Sequence, residues 1–297
     1  METGALDREV AWVTREGEFE ALDLPRGSWE LPRLSPDGNR LLIAGVEGGT
    51  RRRPGNLPQG VFDIRTGVRT PLANGGEHAW SSTGDFVFFS PEVGRAREGI
   101  GRQPADASAT PELFADSLPI SPWVTSASPD GRTLLFYSEN IWEMDVESGG
   151  VRVLIDDPGV ERNAQFSPDG AYVVAYSSMG SGREEVYVRP YPALDQRWTI
   201  SSDGGELPMW SRDGSELFFI SGDRMMVTPA IVDGAFRQER PQELFRGGFV
   251  RQPNGDQSFD LAPDGRLIVI RGSAATTITV TTGWLEAALS QVRTRGN

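Results

Sequence analysis

The sequence contains no cysteine and no lysine, and it has a single histidine among its 297 residues. Without cysteine, disulfides, thiolate nucleophiles and cysteine metal sites are excluded. The 29 basic residues are therefore all arginine, and they stand against 42 acidic residues, which gives a net charge of −13. Because phosphate binding needs a net basic face, this balance argues against a nucleic-acid-binding protein.

Long hydrophobic runs are also lacking. The first residues show no basic and apolar run of the signal-peptide kind, and the apolar runs are far shorter than the about 20 residues that a membrane span needs. We therefore expect no membrane segment, and a cytosolic location for the chain as it stands. Glycine and proline are abundant, with 35 and 21 residues, which is typical of a turn-rich, all-β protein.

A four-residue turn recurs along the whole chain. Its glycines are separated by 46, 47, 39, 44 and 51 residues, which is the period of a four-stranded propeller blade. In such a turn proline presets φ, aspartate accepts neighbouring backbone amides, and glycine takes a positive φ. The six copies are Ser35–Gly38, Ser81–Gly84, Ser128–Gly131, Ser167–Gly170, Ser211–Gly214 and Ala262–Gly265.

A short, continuous apolar run follows each turn, and strands with alternating polarity lie further along each repeat. Continuous runs indicate burial on both faces of a sheet, whereas alternation suits a half-exposed blade rim. The pattern predicts one domain over residues 1–297, an all-β, six-bladed β-propeller of four-stranded antiparallel blades. The strands within residues 1–22 should close the ring by completing the last blade, which has only one further predicted strand, at 276–282. A short tail follows at 284–297.

These repeats resemble the TolB-like, WD-repeat-like β-propellers, whose turn follows an aromatic residue. Trp80, Phe166 and Trp210 occupy that position. The stretches 181–192, 210–214 and 222–226 are similar to the C-terminal sensor propeller of bacterial serine/threonine protein kinases, as are 10–17 and 278–284. The resemblance covers nearly the whole chain, and it implies a sensing role, extracytoplasmic if the chain is the sensor of a membrane-anchored kinase.

The kinase domain itself is absent from this sequence. There is no lysine for a phosphate-binding strand, and no His-Arg-Asp or Asp-Phe-Gly sequence, so phosphoryl transfer by this polypeptide is excluded. We expect a non-catalytic module that binds or senses a protein or a ligand, and two alternatives stay open. One is a calcium-dependent propeller hydrolase or lactonase, and the other is a TolB-like envelope scaffold.

Polar residues four or five positions before the turns are the candidate binding site. They enter the innermost strands, which line the central channel of a propeller, and could form a channel mouth for a protein or a small polar ligand. A solvated rim without a ligand is the alternative. With the neighbouring histidine, the candidates are Glu30, Glu77, His78, Arg162, Asn163, Glu206 and Gln257.

His78 is the sole histidine, so any acid–base catalysis by imidazole depends on it. The chain has no Gly-x-Ser-x-Gly elbow, and packing or channel lining is the preferred interpretation of His78. One histidine makes a zinc site improbable, while calcium on Glu and Asn oxygens stays an alternative. We predict no cofactor and no metal, and we interpret the turn aspartates as structural.

Arg51, Arg52 and Arg53 form the one basic cluster. A solvated loop is the simplest interpretation of such a run, and a docking point for an acidic protein segment is the functional alternative. The partner is therefore expected to be a protein or a small polar ligand at the channel face, and the chain is expected to be a monomer.

Overall fold

The structure is a computed structural model, and it describes residues 7–48, 57–91, 99–115, 118, 120–178, 182–232, 235–237, 239–250, 255 and 257–272. Within these ranges all regular structure is β. None of the described segments forms a helix with the length and apolar character needed to cross a membrane.

The strands are short, as expected for propeller blades. In chain order they are β1 (Arg8–Val13), β2 (Phe19–Ala21), β3 (Glu30–Leu34), β4 (Arg40–Ala44), β5 (Gln59–Asp63), β6 (Arg69–Pro71), β7 (His78–Trp80), β8 (Phe86–Phe89), β9 (Ile100–Pro104), β10 (Glu112–Ala115), β11 (Trp123–Ala127), β12 (Thr133–Ser138), β13 (Asn140–Asp145), β14 (Val151–Ile155), β15 (Glu161–Phe166), β16 (Tyr172–Ser178), β17 (Glu185–Pro190), β18 (Trp198–Thr199), β19 (Glu206–Trp210), β20 (Glu216–Ser221), β21 (Arg224–Pro229), β22 (Ile231–Val232), β23 (Ala235–Phe236), β24 (Gln242–Arg246), β25 (Phe259–Leu261) and β26 (Leu267–Gly272).

These strands form four-stranded antiparallel sheets arranged as blades. The sheets are β3–β6, β7–β10, β11–β14, β15–β18, β19-β20-β21-β24 and β25-β26-β1-β2, and β22 and β23 form a separate hairpin. The innermost strands β3, β7, β11, β15, β19 and β25 contact one another in that order, and β25 contacts β3. The predicted all-β class and the ring of four-stranded antiparallel blades are confirmed.

The N-terminal strands close the ring. β1 pairs antiparallel with β26 along its full length, from Arg8 opposite Gly272 to Val13 opposite Leu267. β2 then pairs with β1 at the outer edge. This sheet has four strands without the one predicted at 276–282, which lies outside the described residues, as does the tail at 284–297.

The recurring turns have the hydrogen bonds that their residue types predict. In the first turn the Asp37 carboxylate accepts the Ser35 hydroxyl at 2.5 Å and the Asn39 amide at 3.1 Å. The Ser35 hydroxyl lowers the pKa of Asp37 below its ordinary value. Gly38 has a φ of 74°, which favours glycine. The equivalent aspartates likewise accept amides of their own turns, at Asp130, Asp169, Asp213 and Asp264.

Apolar layers between neighbouring blades form the core. One layer joins Ala11 and Val13 of β1 to Phe218 of β20 and Phe259 of β25, all fully or almost fully buried. Since each sheet buries both faces against its neighbours, no blade has a core of its own, and stability depends on the completed ring.

We predict that deleting residues 1–22 disrupts the ring, because the edge of β26 and the apolar layers against β1 become exposed. The truncated chain should self-associate in size-exclusion chromatography and lose a cooperative thermal transition. Deletion of residues 1–6 is the matched control, since β1 is retained, and it should behave as the full chain. A monomeric 1–22 deletion with an unchanged melting temperature would contradict the closure argument.

Candidate functional site

A cavity of about 340 Å³ lies at the end of the ring where the recurring turns follow the innermost strands, and we call it the turn-end cavity. All six innermost strands contribute to its lining, so it occupies the centre of the ring. Pro36 and Pro129 of two turns line it and are exposed, so the cavity reaches the surface on this face.

One sequence position in every repeat lines this cavity. It is the residue two places before the first residue of the turn, near the end of each innermost strand. The blades thereby place charged, polar and apolar side chains around one space. Around the ring these residues are Arg33, Ala79, Ser126, Gln165, Met209 and Asp260.

Asp260 and Arg212 form an ion pair on one side of the cavity, and both side chains also hydrogen-bond to the backbone. The Asp260 carboxylate accepts the Leu34 amide at 2.6 Å and the Leu261 amide at 2.7 Å. Arg212 donates from Nε to the Leu261 carbonyl at 2.8 Å, and from Nη2 to the Leu34 carbonyl at 3.2 Å and to Asp260 at 3.4 Å. These bonds tie three neighbouring blades together.

Arg33 lines the same cavity but, unlike Arg212, has a buried guanidinium nitrogen without a hydrogen-bond partner in the described chain. The residue is 8% exposed, and its Nη1 atom has no hydrogen-bond partner within the described part of the chain. Burial lowers the pKa of Arg33, and the charge of Arg212 acts in the same direction, while Asp260 and Glu77 oppose the shift. Arg33 is therefore a buried guanidinium with hydrogen-bonding capacity left over.

Aromatic side chains form the walls of the cavity. Trp80 donates its indole N–H to the Arg33 carbonyl at 3.1 Å, and its ring lies 4.9 Å from the Arg40 guanidinium. Phe166 and Trp210 lie on the other blades. Trp210 is 4% exposed and packs in an apolar layer with Val188 and Phe219, and its buried indole nitrogen has no partner among the described residues.

The residues that sequence reasoning selected do not line the turn-end cavity. Glu30 forms an ion pair with Arg8 at 3.1 Å, and Arg8 also donates to the Trp29 carbonyl at 3.0 Å. This pair joins β1 to the start of β3. Glu30 therefore has a structural contact next to the ring closure, at the beginning of its strand.

Glu77 and His78 are both 1% exposed, at the start of β7. The His78 Nε2 atom is 2.8 Å from the Leu31 carbonyl, while Nδ1 has no partner in the described chain. Burial lowers the pKa of His78 to about 3, and the charge of Arg33 contributes. The imidazole is therefore neutral near pH 7, with Nε2 carrying the proton that is donated to Leu31.

The other predicted residues occupy separate positions around the ring. Asn163 donates to the Gly255 carbonyl at 3.1 Å, and Gln257 donates to the Phe259 carbonyl at 3.1 Å. Arg162 and Glu206 are half-buried at the starts of β15 and β19. Glu77 and His78, which are adjacent in sequence, both lie near enough to Arg33 to interact electrostatically with it. Arg51, Arg52 and Arg53 lie outside the described residues.

Sequence reasoning missed the lining position two places before the turn. A signal for it was present, because three of the six repeats have a charged or amide residue at this offset, namely Arg33, Gln165 and Asp260. For metals, the described residues contain no group of three His, Cys, Asp or Glu side chains that could hold an ion.

We predict that His78 makes stability depend on pH. Its pKa is about 3 in the folded chain and about 6.5 when unfolded, so between these values only the unfolded chain binds the proton. The free energy of unfolding should therefore fall with decreasing pH, by up to about 1.4 kcal/mol per unit. His78→Gln keeps a donor for Leu31 but does not titrate, so denaturant unfolding at about pH 6 and pH 4.5 should show a smaller loss. Equal losses would refute the prediction.

Comparisons with known proteins agree on the fold. No family model matches the chain. The uncharacterized protein Atu1656 of Agrobacterium fabrum is 29% identical over 201 residues, and the match covers 66% of this chain and 66% of that relative.

Among solved structures, a protein assigned as TolB in Agrobacterium tumefaciens has a TM-score of 0.69 and 19% identity, covering 92% of this chain and all of its own. TolB from Acinetobacter baumannii has a TM-score of 0.58 and 17% identity, covering 80% of this chain and 66% of its own. At these identities the likeness concerns the fold alone. The chain therefore has the fold of TolB-like β-propellers.

Proposed function

We propose that this chain is a non-catalytic, six-bladed binding or sensing module, whose ligand enters the turn-end cavity. The observation that carries the proposal is a central cavity of about 340 Å³ that all six innermost strands line, with charged and polar side chains such as Arg33 and Gln165 beside the aromatic Trp80. Binding pockets are typically concave spaces of this size or larger, with aromatic walls and a few polar groups.

The chemistry of the lining favours binding over catalysis. Asp260 is the one carboxylate among the residues that line the cavity, and both of its oxygens already accept backbone amides. No histidine lines the described cavity, since His78 donates to Leu31 at the start of β7. The cavity hydroxyls therefore have no adjacent general base, which nucleophilic catalysis by serine or threonine would need.

The sequence resemblance supports a sensing role. The module is similar to the sensor propellers of bacterial serine/threonine kinases, which couple an external ligand to a separate catalytic domain. A scaffold role in an envelope assembly is the related alternative that the TolB-like fold favours. Both roles use a propeller as a binding surface, and in both we propose that a protein segment or a small polar ligand occupies the turn-end cavity.

A cavity-filling variant tests this proposal. Peptides selected against the wild-type protein from a random-peptide display library should bind Ser126→Trp at least about tenfold more weakly, because the indole occupies the space between the innermost strands. Calorimetry with the synthesised peptides measures the change, and circular dichroism checks that the variant is folded.

Val68→Trp is the matched control. Val68 is 63% exposed outside the cavity lining, so the same indole is added without filling the cavity. Affinity should equal that of the wild type. The proposed site is wrong if the library yields no wild-type binder, or if Ser126→Trp binds the selected peptides as tightly as Val68→Trp does.

A further inference from the structure

We infer that the turn-end cavity binds a small, uncharged polyol the size of a monosaccharide, which hydrogen-bonds to Ser82, Ser126 and Gln165. The inference rests on the proposed binding function and names the ligand class for the same site. The polar side chains divide the lining into two arcs. The charged arc lies on or directly after β19, β25 and β3, and the uncharged arc lies on or directly after β7, β11 and β15.

The uncharged arc has hydrogen-bonding groups that a ligand can reach. Of the six residues two places before the turns, Ser126 and Gln165 are half-buried, whereas the other four are buried. Since both belong to innermost strands and line the cavity, their accessible surface faces the cavity. The Gln165 carboxamide and the half-buried Ser82 hydroxyl form no hydrogen bond with the described chain.

Ser126 and Gln165 lie side by side on neighbouring blades. The Ser126 hydroxyl donates to the Ala127 carbonyl and accepts the Phe166 amide, which follows Gln165 in the chain, both at 3.4 Å. These contacts are longer than ordinary hydrogen bonds, so the hydroxyl can exchange them for a ligand. A hydroxyl and a carboxamide each combine a donor with an acceptor. Adjacent hydroxyls of a polyol match this pair, because each of them also donates and accepts.

The charges around the cavity are balanced, which favours an uncharged ligand. Arg212 pairs with Asp260 at 3.4 Å. Arg33 interacts electrostatically with Asp260 and with Glu77, which is 1% exposed and is not a lining residue. Two cations are therefore opposed by two anions. A charged ligand would add a charge without a counterion and would lose hydration on entering, whereas an uncharged ligand avoids this cost.

The size and the apolar part of the lining fit one sugar ring. A volume of about 340 Å³ is at the small end of the range for ligand pockets, which favours a small molecule over a segment of a folded protein. Pro36, Pro129 and Ala127 line the cavity and are exposed or half-buried. They offer apolar contacts to the C–H groups that a sugar ring carries between its hydroxyls.

The direct test is an NMR titration of the full chain with the neutral methyl glycosides of glucose, galactose, mannose and N-acetylglucosamine. At least one should bind with a millimolar or lower Kd, because several hydrogen bonds of about 1 kcal/mol each are available. The uronic acid and the amino sugar related to that glycoside each add one charge. Both should bind at least about tenfold more weakly than the neutral glycoside.

Variants of the uncharged arc assign the binding to it. Gln165→Leu should weaken the glycoside at least about tenfold, and Ser82→Ala about threefold, because each loses hydrogen bonds to the ligand. Gln242→Leu is the matched control, since Gln242 is exposed on the outer strand β24 and is not a lining residue. It should bind as the wild type does. Circular dichroism checks that all three variants are folded.

Three results would overturn the inference: no binding of any of these glycosides at about 50 mM, equal binding of the charged derivatives, or unchanged affinity in Gln165→Leu. N-acetylalaninamide is the last probe. If it binds and the glycosides do not, the uncharged arc recognises an amide, and the polyol class is wrong. These failures leave the proposed function intact as long as Ser126→Trp still weakens the selected peptides. If it does not, the cavity itself is the wrong site.

Discussion

The pairing of β1 with β26 is the interaction on which the rest of the structure depends. The innermost strands come from different blades, so the central cavity exists only when the ring is closed. The seam next to this closure is reinforced by polar contacts. Arg8 pairs with Glu30 between β1 and β3, and Arg212 bonds to backbone carbonyls on β25 and β3. The ring closure and the candidate site therefore involve the same two blades, which contain β25 and β3.

Much of the fold follows from local chemistry that repeats. Four of the six turns combine a hydroxyl, a carboxylate and a positive-φ glycine within four residues; Ser81–Gly84 lacks the carboxylate, and Ala262–Gly265 lacks the hydroxyl. The apolar run after each turn, and the missing partners of the last blade, then indicate a closed ring. Such features are predictable from the sequence because they depend on neighbours in the chain, and the Ser35–Gly38 turn forms as its sequence indicates.

The site was less predictable because a bulge interrupts the innermost strands. In β3 the register shifts between Glu30 and Arg33, and Leu31 between them has a φ of 58°; β19 shows the same shift, with a φ of 53° at Leu207. Strict two-residue alternation cannot be carried across such a bulge. The candidates Glu30 and Glu206 lie before the bulge, whereas Arg33 and Met209, which line the cavity, lie after it. The residues of a single repeat do not predict a bulge of this kind.

The polar residues near the starts of these strands illustrate a second limit of sequence reasoning. Because Glu77 and His78 are polar, the sequence predicts that they line the mouth of the channel. In the structure both are buried beside Arg33. Their charge and proton states follow from tertiary neighbours: Arg33 acts with burial to keep His78 neutral, and Glu77 helps keep Arg33 charged. Arg33 thus stands between a buried polar pair and an open cavity. The Glu77 carboxylate favours the charged guanidinium, so the charge of Arg33 has a counterion on the buried side, away from the other cavity-lining residues.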